Sequence, residues 1–177
     1  MASPTTLRPL LCVAIVAATA LAACARGSGE ESSSPGSQTA HVGQPAPGWS
    51  EASIPGPTLS LASLHGKAIY LNFFATWCPP CNEEAPSIDA LARAYGRRGL
   101  AVVGVDVLEN QHKAGSFRSD HHLSYPVIAD TGTLRDQYNV NGLPVHVFID
   151  RGGVVEKIVV GELSPAQMRD NVERILR

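Results

Sequence analysis

Cys78 and Cys81 are separated only by Pro79 and Pro80, in the run WCPPC. Cysteines at this spacing can hold a metal, staple a chain or exchange electrons. A structural zinc site takes four ligands, normally two such pairs or one pair plus histidines at fixed spacing. No second pair follows here. The histidines at 41, 65, 112, 121, 122 and 146 show no metal-ligand spacing. A disulfide that closes so small a loop removes little entropy from the unfolded chain, so it is a poor staple. Electron exchange fits the position. Cys78 follows an apolar run and opens a helical pattern, where unpaired N–H groups and the helix dipole favour an anion. The thiolate is the attacking species, so this placement should lower its pKa and raise its reactivity. Cys81 lies one turn on, in reach to resolve a mixed disulfide, and its sulfur is expected to be the more buried. The two prolines remove N–H donors from the first turn and stiffen it.

The flanking elements must position that pair. AIYLNFFA, residues 68–75, is too apolar to be half-exposed and reads as a buried central strand. After Cys81, the apolar residues Ile88, Leu91, Ala92 and Tyr95 fall on one helical face. Glu83 and Glu84 suit the positive end of that helix, Pro86 should kink it, and Gly96 and Gly99 end it. LAVVGVDV (100–107) is a second buried strand. Residues 111–121 form a weaker helix with Ala114 and Phe117 inward. PVIAD is a short strand and TLRDQYNV one or two helical turns. PVHVFID and VVEKIVV make a hairpin around Arg151-Gly152-Gly153. Ser164, Pro165 and Gln167 start a last helix with a capping box, whose inner face is Met168, Val172, Ile175 and Leu176. Residues 48–66 form an N-terminal hairpin turning at IPGP. The order predicts an α/β fold: a central mixed sheet flanked by helices on both faces, with a β-hairpin extension.

NFFATWCPPCNEEAP (72–86) resembles the active-site segment of thioredoxin-fold proteins. It is most similar to the membrane-anchored extracytoplasmic thiol–disulfide oxidoreductases of the TlpA/ResA type. The resemblance spans roughly 43–177 and rests on Trp-Cys-x-x-Cys after an apolar strand, on Pro86, and on the later X-Pro before a strand. It implies a thioredoxin fold, with Cys78 attacking and Cys81 resolving. It implies that Pro144, in NGLPVHVF, is a cis-proline facing the disulfide. A cis peptide there would expose the Leu143 backbone to an extended substrate. Thioredoxins carry a buried Asp where this chain has Asn72. The TlpA/ResA branch shares the Asn and uses a Glu after the following strand, which GVDVLEN matches with Glu109. Glu109 is therefore expected near Cys81, managing its proton. Phe74 stands where the family often has Trp, and His146 where it often has Thr or Ser. Phe74 reads as core; His146 has either side of its strand open to it. Trp77 is expected to shield Cys78 and to offer substrate an apolar contact.

The N-terminus reads as a lipoprotein signal over residues 1–23. Arg8 precedes the apolar run 10–23, which is too short to span a bilayer as a helix. LAAC (21–24) resembles the lipobox of bacterial lipoproteins, which implies cleavage before Cys24 and lipid on its sulfur. Cys12 leaves with the signal, so Cys78 and Cys81 are the thiols that remain. Residues 24–47, rich in Gly, Ser, Pro and Gln, read as a flexible tether whose roughly 20 residues span roughly 25 Å. The thioredoxin-like domain then occupies 48–177. The expected location is extracytoplasmic, anchored by lipid to a bacterial membrane, where disulfides persist. The formal net charge is -2 and no Lys/Arg block exists, so nucleic acid is not an expected partner. The resemblance implies a membrane thiol-reductase of the CcdA/DsbD kind as electron donor. It implies disulfides of exported proteins, apocytochrome c among them, as substrates; no cofactor is expected. The rival is Cu(I) binding or copper delivery by Cys78, Cys81 and His121 or His122. The two-residue spacing and Pro144 speak against it. A peroxidase on this fold would want Thr or Ser three residues before a lone cysteine, where this chain has Ala75.

Overall fold

The computed structural model describes residues 38–177; Cys24, the signal segment and the first part of the tether lie outside them. Seven strands form one mixed sheet. They are β1 (Ser50–Ile54), β2 (Thr58–Ser60), β3 (Ala68–Phe74), β4 (Leu100–Val107), β5 (Val127–Asp130), β6 (Val145–Ile149) and β7 (Val155–Val160). Their order across the sheet is β2-β1-β5-β4-β3-β6-β7. β3 pairs parallel to β4 and antiparallel to β6, so it is central, and every residue in it is buried. That is why its sequence is an unbroken apolar run rather than an alternating one. β1 and β2 are the expected hairpin, and β1 joins the sheet at β5.

Among the described residues, three α-helices connect strands, α1 (Pro79–Tyr95), α2 (Gln111–Asp120) and α3 (Thr133–Gln137), and α4 (Pro165–Ile175) follows the last one. One core layer packs Cys81, Ala85, Ile88 and Leu91 of α1 with Ala114 and Phe117 of α2 and Met168, Val172 and Ile175 of α4. They lie against Tyr70, Phe74 and Phe148 of the sheet. The opposite layer holds Leu71, Phe73, Val103, Val105 and Val147 under Leu134, Tyr138 and Trp49. Each fully buried side chain of this size contributes roughly 1.5–3 kcal/mol. The predicted inner faces of α1, α2 and α4 are the observed ones.

The described structure moves two boundaries. Gly96 is the C-cap of α1, but its backbone stays helical at φ -54° and a 3-10 turn runs on through Arg98. Gly99, at φ 92°, takes the left-handed conformation that ends the run. The domain also begins before residue 48. Ala40 N–H donates to Gln137, Gly43 N–H to Val155 and Ala46 N–H to Gly153, and Pro45 bridges Val154. Ala40 and Ala46 are buried. The tether's composition hid this, because the attachment is made by backbone groups.

Candidate active site

β3 ends at Phe74 and α1 begins at Pro79, so the cysteine pair sits where the strand hands over to the helix. Cys78 is the N-cap of α1, with Pro79 and Pro80 at the first helical positions. A proline there forfeits only an N–H that has no helical partner. The two sulfurs form a disulfide. Cys81 N–H donates to Cys78 Sγ over 3.3 Å, which is the contact a thiolate at Cys78 would strengthen. In this oxidised state both cysteines are buried alike, 3% and 2% exposed, so the expected contrast between them is absent. Trp77 is 70% exposed: its indole is turned out to solvent and is not packed as a cover. The Leu143–Pro144 peptide is cis, and Pro144 is buried at the start of β6.

The turn before Cys78 is tied on two sides. Glu109 accepts from Thr76 N–H over 2.6 Å and from Thr76 Oγ1 over 2.8 Å. On the other side Asn82 Nδ2 donates to the Thr76 and Cys78 carbonyls, 3.1 and 2.8 Å. His121 Nε2 lies 2.9 Å from Asn82 Oδ1, so it carries the proton and donates. The His121 ring packs on Phe117. Glu109 thus contacts Thr76. Burial pushes its carboxyl up, but the two Thr76 hydrogen bonds, together with Asp106 and the Lys113 charge, outweigh that and hold it below its usual range. Glu109, expected near Cys81, is tied to the turn that precedes Cys78.

Two buried carboxyls are better placed to hold a proton. Glu84 lies one turn beyond Cys81 on the inner face of α1 and is 7% exposed. Burial pushes its pKa up to about 7, and the charge of Glu162 adds to this while the Leu163 N–H opposes it. Its Oε2 faces His146 Nε2 at 3.4 Å, outside good hydrogen-bond geometry. His146 points inward from β6. Tyr70 Oη meets its Nδ1 at 2.8 Å and Asn72 Nδ2 lies 3.5 Å away. Burial lowers the His146 pKa to about 4, against the pull of the Gly161 backbone, so the ring is neutral at neutral pH. Asp106, on β4, is wholly buried and burial raises it to about 8, with the charge of Glu109 adding. Sequence reasoning missed both acids. Glu84 continues the Ile88–Leu91–Tyr95 stripe, which was the available signal. Asp106 shares its face of β4 with Leu100 and Val102.

Among the described residues no group of three or more His, Cys, Asp or Glu is placed to hold a metal. His121, which the copper reading would recruit, is committed to Asn82.

The sequence matches the family described as AhpC/TSA over residues 42–158. It is 31% identical over 135 residues to the thiol–disulfide oxidoreductase ResA of Bacillus cereus, covering 76% of this chain and 78% of that one. A thiol:disulfide interchange protein of the thioredoxin family from Chlorobium tepidum superposes with a TM-score of 0.71. It is 34% identical, over 76% of this chain and 97% of that one. A secreted disulfide oxidoreductase of Mycobacterium tuberculosis, described as homologous to Escherichia coli DsbE, gives 0.65 at 28% identity, over 71% and 95%.

Proposed function

We propose that this chain, a thiol–disulfide oxidoreductase of the thioredoxin fold that belongs to the AhpC/TSA family, reduces disulfides of exported proteins, apocytochrome c among them. The observation that carries the reading is the Cys78–Cys81 disulfide at the N-terminus of α1, with the Cys81 N–H on Cys78 Sγ. In the reduced protein the Cys78 thiolate attacks one sulfur of a substrate disulfide. A mixed disulfide forms and one substrate thiolate leaves. Cys81 then loses its proton and attacks Cys78 Sγ. The Cys78–Cys81 bond closes, the second substrate thiolate leaves, and two electrons have passed to the substrate. Glu84, with its pKa near neutral and its place one turn past Cys81, is the acceptor we assign to that proton. Pro144 and the Leu143 backbone form the wall along which an extended substrate segment lies. Glu109 positions Thr76 and the turn that carries Cys78.

The electrons return from a membrane thiol-reductase of the CcdA/DsbD kind. Cys24 carries the lipid that keeps the domain at the outer side of the membrane. The secreted Mycobacterium tuberculosis relative and the N-terminal sequence support that location. No helix among the described residues is long and apolar enough to cross a membrane.

The test is direct. A Cys81→Ser chain cannot resolve its mixed disulfide, so it should accumulate covalently joined to its substrates, and thiol trapping of wild-type cells should find the Cys78–Cys81 pair mainly reduced. Deleting the gene should lower c-type cytochromes. A pair trapped oxidised in cells would reverse the direction of electron flow, and intact cytochromes would remove apocytochrome c as substrate.

A further inference from the structure

Asp106 is the second buried acid of the site, and the exchange steps above do not use it. Its residue is 0% exposed, and neither carboxylate oxygen has a donor within hydrogen-bond geometry. A buried, ionised carboxylate left in that state is strongly disfavoured. The register of the sheet says where it sits. Asp106 pairs with Phe74 on β3 and with Ala129 on β5. Phe74 belongs to the core layer that contains Cys78 and Cys81, so Asp106 lies on the sheet face that carries the pair.

The turn after Asp106 is unusual. Leu108 adopts φ 61°, a left-handed conformation uncommon for any residue but glycine, and its side chain is 68% exposed. A non-glycine backbone and an apolar side chain are both held unfavourably there. The next residue, Glu109, is the one that takes both donors of Thr76. Asp106 and Glu109 interact as a carboxyl pair. Two carboxylates cannot hydrogen-bond each other unless one keeps a proton.

We propose that Asp106 is a positioning residue of the exchange site: it retains one proton, donates it to Glu109, and so holds the Glu109 carboxylate on Thr76 and with it the turn that carries Cys78. The opposite directions of the two pKa shifts agree with this division, up for Asp106 and down for Glu109. The other charged group that acts on Asp106 is Lys113 of α2, which favours its ionised form; its register partners on β3 and β5, Phe74 and Ala129, carry no charge. When Asp106 ionises, two adjacent carboxylates repel, the hydrogen bond between them is lost, and Thr76 is released. The inference rests on the exchange reaction proposed above for its kinetic consequence, but not for the proton itself.

Two measurements on the oxidised and reduced full-length protein test it. Infrared spectroscopy of the oxidised protein should show the carbonyl stretch of a protonated carboxylic acid at neutral pH that fades as pH rises through about 8. That component should be absent in Asp106→Asn and retained in Glu84→Gln. An unchanged band in Asp106→Asn would overturn the proposal whether or not the protein exchanges disulfides. The second measurement is the exchange rate against pH. An asparagine still donates to Glu109 but does not titrate, so the Asp106→Asn rate, taken relative to its own value at pH 7, should show no step near pH 8 while the wild-type rate does. Above pH 8 the wild type should fall behind the variant on that scale by about tenfold, what one lost charge-assisted hydrogen bond is worth. Parallel pH profiles for the two proteins would also overturn it. A wild type that keeps the infrared band yet exchanges no disulfide would refute the exchange reaction and leave the proton assignment standing.

Discussion

Replacing Glu84 with glutamine should flatten the pH dependence of stability in the oxidised protein. Glutamine keeps an oxygen for the Leu163 N–H and removes the titration. In the unfolded chain Glu84 ionises near 4.5; in the fold its pKa is about 7. The folded state therefore holds the proton more tightly. The stability this contributes is fully present below 4.5 and is lost as pH rises through about 7. The whole interval corresponds to about 3 kcal/mol, and the part falling between pH 5 and pH 8 to about 2.5 kcal/mol. Asp106, also raised, acts in the same direction but titrates in both proteins, so it cancels in the comparison. The assay is urea unfolding of oxidised wild type and Glu84→Gln at pH 5 and pH 8. The wild type should lose about 2 kcal/mol more than the variant over that range. If the two lose the same amount within about 0.5 kcal/mol, Glu84 does not carry a proton at neutral pH and its assignment as proton acceptor fails with it.

Three further changes separate the parts of the structure. Asn82→Ala removes two hydrogen bonds to the cysteine turn and strands His121 Nε2, so it should lower stability by about 2 kcal/mol and slow disulfide exchange; thermal melts and exchange assays on the same sample read both. Gly104→Ala places a Cβ 3.1 Å from the Phe74 ring and 3.2 Å from Val127, and urea unfolding should show a loss of roughly 1–3 kcal/mol. Ser164→Ala removes the Oγ that accepts from Gln167 N–H, leaving only the backbone half of the α4 capping box, and should cost about 1 kcal/mol, seen as a lower melting temperature without a change in exchange rate.

The strands were legible because burial on both faces leaves a long apolar run, as in β3 and β4, and because turn residues bracket the β6–β7 hairpin. The helix faces were legible because their spacing shows whichever side is buried. The cysteine pair was legible because its spacing and its place after β3 leave few alternatives. The buried acids were not. Glu84 and Asp106 look like ordinary surface charges by residue type, and only position marks them. Glu84 sits on the stripe of Ile88, Leu91 and Tyr95, and Asp106 on the face of Leu100 and Val102. A charge on an apolar stripe is the signal, and it was overridden by the commoner pairing of glutamates with a helix N-terminus. Glu109 was found, but its partner Thr76 was not, because a contact across 33 residues has no local pattern.

The chemistry gives a reason for two acids of raised pKa in the core layer that holds the cysteines. Attack requires negative charge on Cys78, and its sulfur is buried, where an adjacent ionised carboxylate would raise the thiol's pKa. Near neutral pH Asp106 is largely protonated, His146 is neutral and Glu84 is about half protonated. The one firmly anionic carboxyl among these groups is Glu109, and its charge is spent on the two Thr76 donors. The site thus withholds most competing negative charge from the thiolate while keeping a carboxyl, Glu84, poised to take a proton when Cys81 gives one up. An ionised aspartate or glutamate fixed in the same place would accept the proton as readily only by opposing the thiolate that begins the reaction.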